Sequence, residues 1–98
     1  AENDQLQPVR FSLEQNYPNP FNPVTTINYT IGITGNEHIN LSVYDLLGQK
    51  VATLVSGKQG PGHYSVEWNA SALSSGIYLY KLETGNGQIL TRKMILMK

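Results

Sequence analysis

The chain has 98 residues, with seven basic and seven acidic side chains for a formal charge of zero. That length supports one hydrophobic core, since a second would bury too little apolar surface to offset its ordering entropy. The charge balance leaves no basic excess to neutralise a phosphate backbone, which argues against nucleic acid as a partner.

A hydrophobic content of 40% with nine glycines describes a folded, turn-rich chain. Cysteine is absent, which removes disulfides, thiolate metal sites and cysteine nucleophiles together while leaving the redox compartment open. No apolar run approaches the ~20 residues of a membrane span. The opening Ala-Glu-Asn-Asp-Gln has neither the basic nor the apolar region of a leader. The chain therefore reads as a fragment or mature segment of something larger.

Residues 1 to 9 are polar and unpatterned, the composition of a linker remnant. Phe11 and Leu13 then alternate with Arg10, Ser12 and Glu14, enough for a short edge strand. In Tyr17-Pro18-Asn19-Pro20-Phe21-Asn22-Pro23, three prolines exclude both a helix and a central strand. Tyr17 and Phe21 are the apolar plugs expected to pin this rigid loop against one end of the fold.

Thr25 to Ile31 is β-branched and alternating, with Thr25, Ile27, Tyr29 and Ile31 on one face. A loop follows over Gly32 to Glu37, and His38 to Asp45 places Ile39, Leu41 and Val43 on a common face. Leu46-Leu47-Gly48-Gln49 is a tight connection. In Lys50 to Val55, Val51 and either Leu54 or Val55 point inward, a change of register that predicts a bulge or an early end. Ser56 to Pro61 reads as a Gly-Pro-rich turn.

The segment from Gly62 to Leu82 carries the only Trp and three of the six Tyr. Tyr64, Val66 and Trp68 share one face of its first strand, and Tyr78, Tyr80 and Leu82 one face of its second. Ala70 to Leu73 fits one turn of 3₁₀ helix, and Ser74-Ser75-Gly76 is turn chemistry, with Gly76 free to take positive φ. Thr84-Gly85-Asn86-Gly87-Gln88 is a hairpin for which Asn86-Gly87 favours a type I′ turn. The last strand, Ile89 to about Met97, alternates impurely because Arg92 shares a face with Leu90, Met94 and Leu96. This is the pattern of an edge strand. About seven short strands without helical periodicity predict an all-β, antiparallel, immunoglobulin-like β-sandwich.

Chemistry-bearing patterns are weak. His38 and His63 fall on different strands with no partner spacing, and Asp45 before Leu-Leu-Gly is a turn residue rather than half of a carboxylate pair with Glu67. Nucleophile-elbow, phosphate-loop and zinc spacings are missing, and no loop has the acidic density that calcium needs. The Asn-x-Ser/Thr triplets at Asn28, Asn40 and Asn69 lie in or beside strands and read as chance. No cofactor or catalytic residue is expected.

Four separated motifs occur in order: Tyr17 to Pro23 followed by Thr-Thr-Ile-Asn-Tyr; Val43-Tyr44-Asp45-Leu46-Leu47-Gly48-Gln49-Lys50-Val51; Gly62-His63 with Trp68-Asn69; and Ser75-Gly76-Ile77-Tyr78-Leu79-Tyr80-Lys81-Leu82 with the ending Thr91 to Lys98. Together they resemble the C-terminal sorting domain of type IX (Por) secretion cargo, type A, over residues 16–98, leaving 1–15 as linker and first edge strand. The middle portion is also similar to the immunoglobulin-like domain of flagellar hook-capping proteins. The resemblance implies a non-catalytic domain at the end of large secreted proteins of Bacteroidota-like bacteria. It implies an N-terminal cargo domain in the same chain, an outer-membrane translocon and cell-surface processing machinery as partners, and a route through the periplasm to the surface or medium.

Carried onto this chain, the resemblance singles out Pro18, Asn19, Pro20, Gly76, Tyr78, Lys93 and Lys98 as sorting-signal residues. Each has a plainer explanation. Gly76 and Tyr78 serve a turn and a core, Pro18 to Pro20 plug one end, and Lys93 and Lys98 are edge charges that discourage aggregation. A carbohydrate-binding module, or a structural immunoglobulin-like spacer, is the alternative. The first would need a coplanar row of exposed aromatics, for which Tyr17, Phe21, Tyr29 and Tyr44 are the candidates.

Overall fold

A computed structural model describes residues 10–32 and 37–98. The linker reading of residues 1–9 and the loop reading at 33–36 lie outside the described residues. Seven strands form: β1 (Ser12–Leu13), β2 (Val24–Ile31), β3 (Glu37–Tyr44), β4 (Lys50–Gln59), β5 (Gly62–Asn69), β6 (Gly76–Thr84) and β7 (Ile89–Leu96). They make two antiparallel sheets, one ordered β1-β2-β5 and the other β4-β3-β6-β7. The chain is thus an all-β sandwich.

Alternation decides which residues meet between the sheets. Ile27, Tyr29 and Ile31 of β2, Ile39, Leu41 and Val43 of β3, and Tyr80 and Leu82 of β6 are buried in one core. Ten of its apolar members are almost wholly removed from water, and each contributes about 1.5–3 kcal/mol relative to exposure. Among the described residues, every buried side-chain nitrogen or oxygen has a hydrogen-bond partner. That matters in so small a core, where one orphaned group would cost about 1–3 kcal/mol.

The two aromatic-rich strands lie in opposite sheets. β5 is an edge strand paired to β2, whereas β6 is central in the larger sheet, between β3 and β7. They meet across the core instead: the Trp68 ring stands edge-on to Tyr78 at 6.5 Å and tilts against Phe21 at 5.9 Å. Ala70 to Leu73 makes a single turn closed by the Leu73 N–H on the Ala70 carbonyl.

Three local expectations are corrected. Of the two alternatives expected for β4, the bulge is present and the early end is not: the strand does not give way to a turn at Ser56 but runs to Gln59, because β3 offers backbone partners all the way to Glu37. Two register shifts leave Leu54 and Val51 as extra residues, so Val51, Ala52, Leu54 and Val55 all pack against the core despite lying in consecutive pairs. Second, the β6–β7 hairpin is not a type I′ turn on Asn86-Gly87. The Gly87 N–H donates to the Thr84 carbonyl and the Thr84 N–H to the Gln88 carbonyl, with Gly87 at φ 95°. This is a three-residue loop closed by a left-handed glycine. The β3–β4 hairpin repeats it: Gly48 N–H to Asp45, Asp45 N–H to Gln49, and Gly48 at φ 87°. Third, Tyr17 is no plug. Its ring is 79% exposed, and only its backbone is held, by reciprocal bonds to Thr26. Phe21, 1% exposed, fills the end of the core alone.

Candidate functional site

The segment from Leu13 to Phe21 binds the edge of β7, and that junction is the most elaborate polar structure in the domain. It begins with Tyr80, buried in the centre of β6. Its hydroxyl accepts the Asn16 N–H at 2.8 Å and donates to the Glu14 carbonyl at 2.6 Å. Burial pushes the Tyr80 phenol above its ordinary range, partly countered by the Asn16 hydrogen bond and the nearby Arg92 charge. The phenol therefore stays a neutral donor and acceptor.

The Asn16 side chain, also buried, shapes the loop immediately after it. Its amide nitrogen donates to the Thr25 hydroxyl at 2.9 Å and to the Pro18 carbonyl at 3.1 Å, and the Thr25 hydroxyl donates to the same carbonyl. Prolines cannot contribute N–H groups of their own, so an interior asparagine fixes the loop through its carbonyls. This places Asn19 and Phe21 beside the last strand.

Alternate residues of β7 direct their backbone groups away from β6, and the loop uses those at the carboxyl-terminal end. The Ile95 N–H donates to Asn19 Oδ1 and the Ile95 carbonyl accepts from the Phe21 N–H, both at 2.9 Å, while the Met97 N–H donates to the Phe21 carbonyl. Phe21 and Leu96 thereby form a parallel bridge. Gln15 Nε2 donates to the Lys93 carbonyl at 2.7 Å, and Arg92 Nε crosses between the sheets to the Leu13 carbonyl at 2.7 Å. The last strand is an edge as expected, but its far end is already covered by the chain's own loop.

The residues singled out from the sequence divide accordingly. Asn19 and Lys93 both take part in the β7 edge, Asn19 by accepting from Ile95 and Lys93 by accepting from Gln15, with Pro18 and Pro20 on the loop that delivers Asn19. Gly76 pairs with Leu96 at the same end, and a Cβ on Gly76 would meet nothing within 4 Å. Lys98 is close by: its backbone N–H donates to Ser75 Oγ and its Nζ to the Ser71 carbonyl. Tyr78 is turned inward, its ring on Trp68 and its hydroxyl on the Ser74 carbonyl.

Sequence reasoning misses Gln15 and Asn16, and reads Ser75 only as a turn residue. Asn16 precedes the proline-rich motif by one residue and has no periodicity to mark it, although an asparagine before a run lacking N–H donors is a usable sign.

Elsewhere the titratable groups are dispersed. Asp45 Oδ1 accepts from the Leu47 and Gln49 N–H groups inside its turn, while Glu67 lies on β5 in the other sheet. His63 Nδ1 is 3.0 Å from the Thr30 hydroxyl, and His38 Nε2 is 3.4 Å from the Ser56 hydroxyl. Among the described residues no three His, Cys, Asp or Glu side chains could hold a metal, and no helix is long and apolar enough to cross a membrane. Of the four aromatics a sugar platform would use, Phe21 and Tyr29 are buried, and Lys81 Nζ sits 4.7 Å from the Tyr44 ring centre.

A small sandwich whose most developed polar structure joins a proline-rich loop to an edge strand has the character of a recognition module. The chain belongs to the secretion system C-terminal sorting domain family, whose sequence model matches residues 15–97. No curated protein matches it. Membership makes the domain a sorting signal for type IX secretion, read by secretion machinery on behalf of a larger cargo chain and leading to the cell surface or medium.

Proposed function

We propose that this is a type A sorting domain and that the end of the sandwich where the loop clamps β7 is the recognised surface. Pro18 and Pro20 set the loop, Asn19 caps the edge, and Lys93 and Lys98 supply exposed charge. Gly76 and Tyr78 hold the β5–β6 connection beneath them. The cargo domain precedes the sandwich in the same chain, passes through the periplasm, and is delivered by the outer-membrane translocon to surface processing that attaches or releases it. The supporting observation is the junction itself: four hydrogen bonds with Gln15, Asn19 and Phe21 converge on the outward backbone of residues 93–97. Core packing alone does not require so many polar ties at one exposed strand end.

A fluorescent reporter bearing a cleavable leader and followed by residues 1–98 tests this in a type IX-competent bacterium. Export should require an intact type IX system and should fall when Asn19, Lys93 and Lys98 are replaced together by Ala. Equal export from a strain with the system disabled would end the sorting reading; undiminished export of the triple variant would move recognition elsewhere.

A further inference from the structure

The loop covers only part of the β7 edge. Outward-facing backbone belongs to Ile89, Thr91, Lys93 and Ile95, the same alternation that gives Ile95 and Lys93 their bonds to the loop. Among the described residues, the N–H and carbonyl of Ile89 and of Thr91, and the N–H of Lys93, have no partner. Such a row is a template for strand addition. Phe21 already shows this edge accepting a backbone segment, in parallel, at its other end.

Beside this stretch lies a cleft of about 280 Å³ between β1 and β7, lined by Phe11, Leu13, Leu90 and Arg92. Leu90 and Arg92 lie two residues apart on the inner face, and the Arg92 terminal nitrogens have no partner among the described residues. We propose that Ile89 to Lys93 receives an added strand from a partner polypeptide. That strand is an extended segment with an apolar residue beside Leu90 and, two positions along, a carboxylate beside Arg92.

The inference rests on the sorting reading and specifies how the machinery grips the edge. A second copy fits poorly. Two-fold pairing about Thr91 would gather two Arg92 and two Lys93 side chains on one short seam, and β7 carries no carboxylate to offset them.

The probe is an acetylated hexapeptide with valine at its second position, glutamate at its fourth and threonine elsewhere, so that valine and carboxylate share one face, added to the 98-residue chain while amide exchange is followed by NMR. Millimolar peptide should slow exchange of the Ile89, Thr91 and Lys93 amides by about fivefold or more, and the same peptide N-methylated on alternate nitrogens should not. No protection at these amides, or protection that grows with protein concentration in the absence of peptide, would overturn the inference, the latter assigning the edge to a second copy.

In cells, Thr91→Pro removes an outward N–H without breaking a β6 bond. It should lower reporter export about tenfold while Thr91→Val stays within about twofold. Should Thr91→Pro melt before it can be tested, Arg92→Glu probes the carboxylate contact in its place. If the unaltered fusion leaves the cell and both Thr91→Pro and Arg92→Glu do so equally well, the edge inference fails and the sorting reading stands. If the unaltered fusion stays inside, the sorting reading fails and the peptide experiment alone decides the edge.

Discussion

Tyr80→Phe removes one oxygen from the centre of β6, and the structure indicates an unusually large effect for so small a change. The lost hydroxyl accepts the N–H of Asn16, a residue only 2% exposed, so that donor is left buried and unpaired. An orphaned buried donor costs about 1–3 kcal/mol, and the Glu14 carbonyl loses a bond worth about 0.5–1 kcal/mol because water can partly replace it. Together the loss is about 1.5–4 kcal/mol, which for a domain of this size lowers Tm by about 6–30 °C. Tyr78→Phe is the internal comparison. Its hydroxyl only donates to the Ser74 carbonyl, on an exposed turn residue, so it should cost under about 1 kcal/mol. Urea and thermal melts measure both differences, and amide exchange at Asn16 reports the local opening. Equal stability of Tyr80→Phe and Tyr78→Phe, with the Asn16 amide still protected, would refute the reasoning.

Trp68→Ala should destabilise by about 3–5 kcal/mol in the same melts, since it empties the space between Phe21 and Tyr78 that joins loop, β5 and β6. Burial raises the phenols of both Tyr29 and Tyr80, so the unfolded chain, with tyrosines near 10, ionises first. Their contribution is complete below about pH 10 and lost as pH climbs through the higher folded values. Urea midpoints should therefore decline above about pH 10, and less steeply in a variant lacking the Tyr80 hydroxyl. Gly87→Ala should cost about 1 kcal/mol in a urea melt, because φ 95° strains an alanine although nothing obstructs its Cβ. Asn19→Ala should change stability by less than about 1 kcal/mol, since Ile95 is not fully buried and water can take the place of the cap. The same variant measured for reporter export separates recognition from folding.

The architecture was legible because most strands carry a clean two-residue period. Ile39-Leu41-Val43 and Tyr78-Tyr80-Leu82 could face only one way. Where the period broke, reading failed in particular ways. β4 looked short because two bulges each insert a residue, which disguises continuous pairing as a change of phase. Arg92 spoiled the alternation of β7 because its guanidinium spans the gap between sheets rather than packing in the core. Asn86-Gly87 invites a two-residue turn, but the Thr84 hydroxyl accepts the Gln88 N–H and is also bonded to Asn86, favouring the longer loop.

The junction at β7 was the least legible part. Bonds such as Gln15 to Lys93 link residues 78 positions apart, and no local pattern encodes them. The four ordered motifs identified the family nonetheless, because they mark the loop and the strands that such long-range bonds join.

Arg92 and Tyr80 fasten the chain just ahead of the proline-rich loop to the larger sheet, while β1 itself pairs through only two residues. Tension applied upstream of Phe11 would reach the sandwich through those few anchors. The amino-terminal side of the domain would then yield before the clamped strand end, leaving the loop and the end of β7 in place.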